Sequence, residues 1–112
     1  MPLSPPVVIT CTIANAASLS DAQFVGPGSL LGIALPVFTS AALTFQGSHD
    51  GVTFFDLYDA AGVEVSVPAS VGSRFHLAPT ACGAVSWIKV RSGTSAAPVV
   101  QGAQRLISIV VQ

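Results

Sequence analysis

The sequence predicts an all-β domain, an antiparallel β-sandwich of jelly-roll type with roughly eight strands. Three observations carry that expectation. Short segments alternate apolar and polar side chains with a period of two, the signature of half-buried strands. Clusters of Gly, Pro, Ser and Asp separate those segments at regular intervals, as they do in sandwiches and barrels. No stretch sustains a long 3.6-residue apolar period, so no long helix is expected. A chain of 112 residues fits one such domain spanning 1–112, with the Pro-rich residues 1–6 as an N-terminal arm.

The first expected strand is Val7–Ile13, where Val7, Ile9, Cys11 and Ile13 share one face and Val8, Thr10 and Thr12 the other. Residues 15–23 are small and polar and suit a short irregular strand. A Gly-Pro-Gly-Ser turn at 26–29 leads into 30–35, with Leu31, Ile33 and Leu35 on one face. Residues 42–59 read as a β-hairpin. Leu43 and Phe45 point one way, then Asp50-Gly51 turns the chain, because both residue types tolerate the positive φ of a primed turn. In its second strand Phe55 and Leu57 share a face, and Phe54, Asp56 and Tyr58 the opposite one. Val63, Val65 and Val67 alternate with Glu64 and Ser66. Phe75 and Leu77 read as the inner face of a short strand, with Arg74 and His76 outside. Residues 84–91 place Ile88 and Val90 inward and Trp87, Lys89 and Arg91 outward. The last strand, Arg105–Val111, sets Ile107, Ile109 and Val111 against Leu106, Ser108 and Val110. The expected core is Ile9, Leu31, Ile33, Leu43, Phe45, Phe55, Leu57, Val65, Leu77, Ile88, Val90 and Ile109.

Composition narrows the classes of function. Hydrophobic residues make up 51% of the chain while only 8% are charged, against roughly 25% charged in an ordinary globular chain. The surface must then be built largely from Ser, Thr, Gly, Ala and Val, and charge depletion of this kind marks the centres of protein interfaces. Apolar runs fall well short of the ~20 residues of a spanning helix. Nor are the strands long enough for a membrane barrel, so no membrane partner is expected. The net charge of −1, with the basic residues scattered, offers no footprint for nucleic acid. The start MPLSPPVVIT lacks the basic and apolar regions of a signal peptide, so the chain is expected to act where it is made or to leave as part of something larger. Cys11 and Cys82 show no metal-binding spacing; buried free thiols and a disulfide both remain open.

The residues that invite chemistry have plainer readings. His49-Asp50 lies in a turn, where Asp before Gly serves backbone geometry. Asp50, Asp56 and Asp59 lack the regular spacing of a calcium loop, and the serines lack a nucleophile elbow. No enzymatic activity, metal or cofactor is expected. Phe54, Tyr58 and Trp87 stand out because strand parity turns them away from the core, and aromatic rings on an outward sheet face suit contact with protein or sugar. With Lys89 and Arg91 they form the expected contact face, while Asp50 and Gly51 form the expected structural turn.

Three segments together, LLGIALP at 30–36, TFQGSHDGVTFFDLYDAAGVEV at 44–65 and WIKVRSGTSAAPVVQGAQRLISIV at 87–110, resemble a family of small virion proteins from tailed bacteriophages. The resemblance covers most of the chain in order. It implies a structural component of the particle, foremost a capsid decoration or cement protein. Such a protein bridges neighbouring subunits of the major capsid protein as a homo-oligomer, with a trimer favoured. Within the same class the alternative is a tail, neck or baseplate component. The Ser-x-Asp-Gly hairpin also resembles that of sugar-binding jelly rolls of the discoidin kind, which implies a carbohydrate-binding module for host attachment as the alternative from another class.

Overall fold

The computed structural model describes residues 7–26, 30–36, 42–68, 75–77 and 85–111. Arm residues 1–6, Arg74, Cys82 and the side chain of Leu31, each named above, lie outside the described residues, as does most of the expected turn at 26–29.

Among the described residues the chain forms nine strands and no helix. They are β1 (Val7–Ile13), β2 (Gln23–Phe24), β3 (Leu30–Ala34), β4 (Ala42–Ser48), β5 (Phe55–Asp56), β6 (Ser66–Pro68), β7 (Phe75–Leu77), β8 (Trp87–Ser92) and β9 (Arg105–Val111). One sheet has the order β1-β9-β3-β7 and the other β2-β8-β4-β5, with β6 also paired to β4. All pairings are antiparallel. Successive strands from β1 to β4 fall alternately in the two sheets, and β9 returns to lie beside β1. That is the wrapping of a jelly roll, as the sequence predicts.

The ninth strand arises because one strand position is interrupted. β5 pairs with Gln46 and Gly47 of β4, and β6 pairs with Ala42, Leu43 and Thr44 on the same side. Between them residues 58–64 leave the sheet as a small excursion, closed by the Tyr58–Glu64 bridge and the Asp59 N–H to Val63 carbonyl bond of 2.9 Å. Asp59 shapes its tip by accepting bonds from the Ala61 and Val63 N–H groups, and Gly62 supplies a positive φ of 80°.

The core lies between the sheets. Ile33, Leu43, Phe45, Ile88, Val90 and Ile109 are wholly buried, Val65 nearly so, and Ile9 and Leu57 pack partly buried against them. A register shift between Leu30 and Gly32 also turns Leu30 into the core opposite Val111. One end is closed by polar groups: buried Gln101 donates to the Ser92 hydroxyl at 2.6 Å and accepts from Arg105 at 2.9 Å. Such groups are tolerated inside only when bonded.

Two expected core residues are not in the core. Leu77 is 83% exposed. Its strand runs with the opposite parity: His76 is paired with buried Ile33, while Phe75 and Leu77 are paired with Ala34 and Gly32 on the outer face. Paired residues of an antiparallel ladder share a face, and one residue of slip exchanges the two faces. His76 therefore points inward rather than to solvent. Phe55 is 68% exposed. Its parity is the expected one, beside Gly47, but β5 is the edge of its sheet and the ring projects past the packed interior.

Candidate functional site

Each sheet has an outward face, and the two differ in chemistry. On the β2-β8-β4-β5 sheet, β8 turns Trp87, Lys89 and Arg91 outward, as expected, beside Ser48, Gln46 and Thr44 of β4. Arg91 is nevertheless only 6% exposed, a correction to its place on an open contact face. Its guanidinium bonds the Asp56 carboxylate at 2.7 Å, Glu64 at 2.9 Å and the Thr44 hydroxyl at 3.1 Å. The Thr44 hydroxyl in turn donates to the Gly93 carbonyl at 2.6 Å. Glu64 also accepts from the Ser95 N–H, and the Tyr58 and Ser95 hydroxyls meet at 3.3 Å. Asp56 ends β5 and Glu64 closes the 58–64 excursion, so Arg91 clamps that excursion over the sheet. The bonds from Arg91 and Gln46 hold the Asp56 carboxyl below its ordinary range. A carboxylate fixed in its charged form by a guanidinium serves as a strut rather than as a proton donor.

The hairpin turn is larger than a two-residue primed turn. Residues 49–54 separate β4 from β5, and Ser48 and Asp50 organise them. The Ser48 hydroxyl accepts from the Asp50 and Gly51 N–H groups and donates to the Asp50 carboxylate. That carboxylate accepts from the Val52 and Thr53 N–H groups at 2.9 Å each. These backbone donors, with Ser48, pull the Asp50 pKa down to about 2. Gly51 adopts a φ of 78° and abuts the Trp87 indole, where a β-carbon would come within 2.8 Å of the ring. Asp50 and Gly51 both lie in the turn, Asp50 as its side-chain acceptor and Gly51 as its positive-φ position.

The expected contact aromatics sit around this loop in three environments. Trp87 is half-buried, flanked by Gly51 and by the exposed ring of Phe24, whose centroid lies 5.1 Å away at 57°. Phe54 is half-buried with the Lys89 ammonium 4.4 Å from its centroid, a cation–π contact. Tyr58 is half exposed. Phe24 was not singled out from sequence. Its signal was only that an aromatic stood in a small, polar segment.

The outward face of the β1-β9-β3-β7 sheet was not anticipated as a site. Ladder register arranges it in rows. Val8, Val110, Gly32 and Leu77 form one row, Thr10, Ser108, Ala34 and Phe75 the next, and Thr12 and Leu106 the third. No residue of the three rows carries a charge. Val8, Phe75, Leu77 and Leu106 are each more than half exposed. The Phe75 ring covers Gly32, where a β-carbon would approach it within 2.5 Å. The readable signal lay in β9, whose outward parity already held Leu106 and Val110.

Other candidate groups are committed elsewhere. Cys11 is a free, wholly buried thiol. Burial, helped by the nearby Asp21 charge, raises its pKa to about 12, which leaves a non-nucleophilic thiol. Asp50, Asp56 and Asp59 do not converge: each serves the separate task given above. Among the described residues no three His, Cys, Asp or Glu side chains come together as ligands.

No protein-family model matches the chain, and no curated protein matches it. Among solved structures it is similar to the SPBc2 prophage-derived protein YomS. The TM-score is 0.55 at 15% sequence identity, over 100% of this chain and 99% of that one. At that identity the likeness is one of fold, and it spans both chains end to end.

Proposed function

We propose that this chain is a non-enzymatic structural component of a phage particle, a cement or decoration protein that binds the assembled shell as a homo-oligomer and bridges major capsid subunits. The observation that carries the reading is the outward face of the β1-β9-β3-β7 sheet. A sheet face open to solvent ordinarily carries charge, and this one carries none. Open apolar patches of that kind mark contact surfaces. The prophage origin of YomS, whose fold the chain shares end to end, and the three segments that resemble phage virion proteins support the same class. The outward aromatics on the opposite sheet, with Tyr58 and Phe24 the most open, supply shell-facing contacts. Each copy on a shell meets several subunits, so weak individual contacts combine.

Glycan attachment finds less support in the geometry. Sugar binding uses the free faces of aromatic rings, whereas Trp87 is packed against Gly51 and Phe24, and Lys89 lies over Phe54.

The test adds purified protein to shells that lack it and follows co-sedimentation and shell melting. Binding with a rise in the shell's melting temperature is expected. Tyr58→Lys and Phe24→Lys should weaken binding about tenfold or more while the chain's own unfolding midpoint holds. A chain that ignores shells and binds a host polysaccharide would replace this reading with the carbohydrate-binding one.

A further inference from the structure

We infer that the charge-free outward face of the β1-β9-β3-β7 sheet is a self-association surface, on which a second copy of this chain packs face to face about a two-fold axis. The inference deepens the assembly reading by naming the occupant of one face.

Charge is the first argument. A two-fold axis brings like residues together, so an isologous contact tolerates charge poorly unless opposite signs are arranged in pairs. The described rows of this face have no charge to oppose; the nearest described carboxylate, Asp21, accepts from the Thr12 N–H at 2.8 Å at the edge of β1. The rows equally give a foreign, charged partner nothing to steer by. The other outward face, with Lys89 and the Arg91 cluster, has neither property.

Pattern is the second. Along β9 the outward residues read Leu106, Ser108, Val110: apolar, hydroxyl, apolar. Thr10 of β1 lies directly beside Ser108 and extends the hydroxyl row across the sheet. Consider a two-fold axis in the plane of contact, lying along that middle row. It sets Ser108 on Ser108 and Thr10 on Thr10, and lays Leu106 of each copy on Val110 of the other. Along β9 and at Thr10 like meets like, while on β1 Thr12 of each copy is set opposite Val8 of the other. The order along β9, the central strand of the contact, reads the same in both directions, as an isologous sheet-on-sheet contact requires there, and aligned packing of two sheets is a standard geometry.

Size sets the strength. At about 3.3 Å per residue β1 and β9 are about 23 Å long, β3 about 17 Å and β7 about 10 Å, and at a spacing of about 4.8 Å a pair covers on the order of 700 Å² counted flat. That lies below the ~1,200 Å² at which stable specific interfaces begin, so the pairing is weak and reversible rather than a permanent dimer. Copies held side by side on a particle would pair more fully than copies in solution.

The test is sedimentation of the purified full chain across a concentration series, with no shell present. The expected result is a concentration-dependent monomer–dimer equilibrium. Leu106→Lys and Ser108→Lys each should shift its dissociation constant at least about tenfold toward monomer. Val52→Lys, on the 49–54 loop, should pair like the parent. The sharpest outcome comes from the axis: Ser108→Lys and Ser108→Glu should each be monomeric alone and should form a mixed dimer together. Unfolding midpoints accompany every variant, and if Leu106→Lys unfolds, the Ser108 pair decides. A parent that stays monomeric at high micromolar concentration, a trimer, or a dimer indifferent to the Ser108 variants overturns the inference. A Leu106→Lys variant of unchanged mass that no longer binds shells also overturns it and gives the face to the shell. A monomer that still coats shells would leave the proposed function standing, and a dimer that ignores them would leave only the interface.

Discussion

The two outward faces belong to sheets of similar width in one sandwich, yet the chain treats them oppositely. On the β2-β8-β4-β5 side, parity turns charged and aromatic residues outward and the chain's own segments then fold down over them. Arg91 is enclosed by Asp56, Glu64 and Thr44, and the 49–54 loop brings Gly51 against Trp87. On the β1-β9-β3-β7 side the three described outward rows present nothing polar beyond hydroxyl groups, and Leu77 and Val8 stand open. The difference teaches that low charge is not spread evenly over this surface. The few described charges are concentrated where they hold loops in place, and the described outward rows of the other sheet hold none.

The strongest way to break the contrast is to remove its charged centre. Arg91→Met leaves two carboxylates facing each other over a covered sheet, with the Glu64 side chain only 15% exposed. Taking one partner from a buried ion pair strands the other, so the substitution should cost about 3 kcal/mol in denaturant unfolding. Adding Asp56→Asn and Glu64→Gln to the same chain should recover part of that loss, because no stranded charge remains. A single-variant loss below about 1 kcal/mol would mean that the clamp contributes little and that the two faces differ only in appearance.

That clamp also shows where the sequence was legible and where it was not. β4, β8 and β9 each hold six or seven residues with one buried face, while in β1 that face is buried only from Cys11 on, with Ile9 half-buried and Val7 exposed, so alternation alone places Phe45, Val90 and Ile109 in the core and Ile9 at its margin. β7 has three residues, Phe-His-Leu, and a period of two fits it in either register. Assigning its apolar residues inward assumes that water lies outside, an assumption that fails where an open face is itself apolar. That is why the pattern of β7 points Leu77 inward while the fold turns it outward. Arg91 was placed on the correct side of its strand. What covers it comes from residues 35 and 27 positions away, and strand parity carries no information about such cover. The turn at Asp50-Gly51 was legible in residue type but not in length, since Ser48 recruits the extra residues through its hydroxyl.

Acid gives a second, smaller probe of the same contrast. The Asp56 carboxyl is held below its ordinary value by Arg91 and Gln46, and Asp50 is held at about 2 by backbone donors from Thr53 and Val52. A folded-state pKa below the unfolded one contributes stability that is complete above the unfolded value and is lost as pH falls through the folded one. The melting temperature should therefore hold steady down to about pH 4 and fall between there and about pH 2. Asp50→Asn keeps the acceptor oxygen but removes the titration, so it should shallow the fall. Arg91→Met should remove the contribution of Asp56. The rows of the uncharged face contain no titratable group, so pairing through that face should be the same at pH 7 as at about pH 4.5. A dimer that dissociates over that interval would place charged residues in its interface.

The smallest expected effect is the most telling for that face. Leu77→Lys puts a charge at a position that is 83% exposed, at the edge of its sheet, where the side chain has little packing to lose. Its effect on unfolding free energy should lie within about 0.5 kcal/mol, as for ordinary surface substitutions. A loss above about 1.5 kcal/mol would show that Leu77 packs against part of its own chain and that the face is already covered. If the small effect is found, folding places no requirement on this face to be free of charge. The absence of charge from all three rows then has to be explained by what the face meets, not by what it holds together.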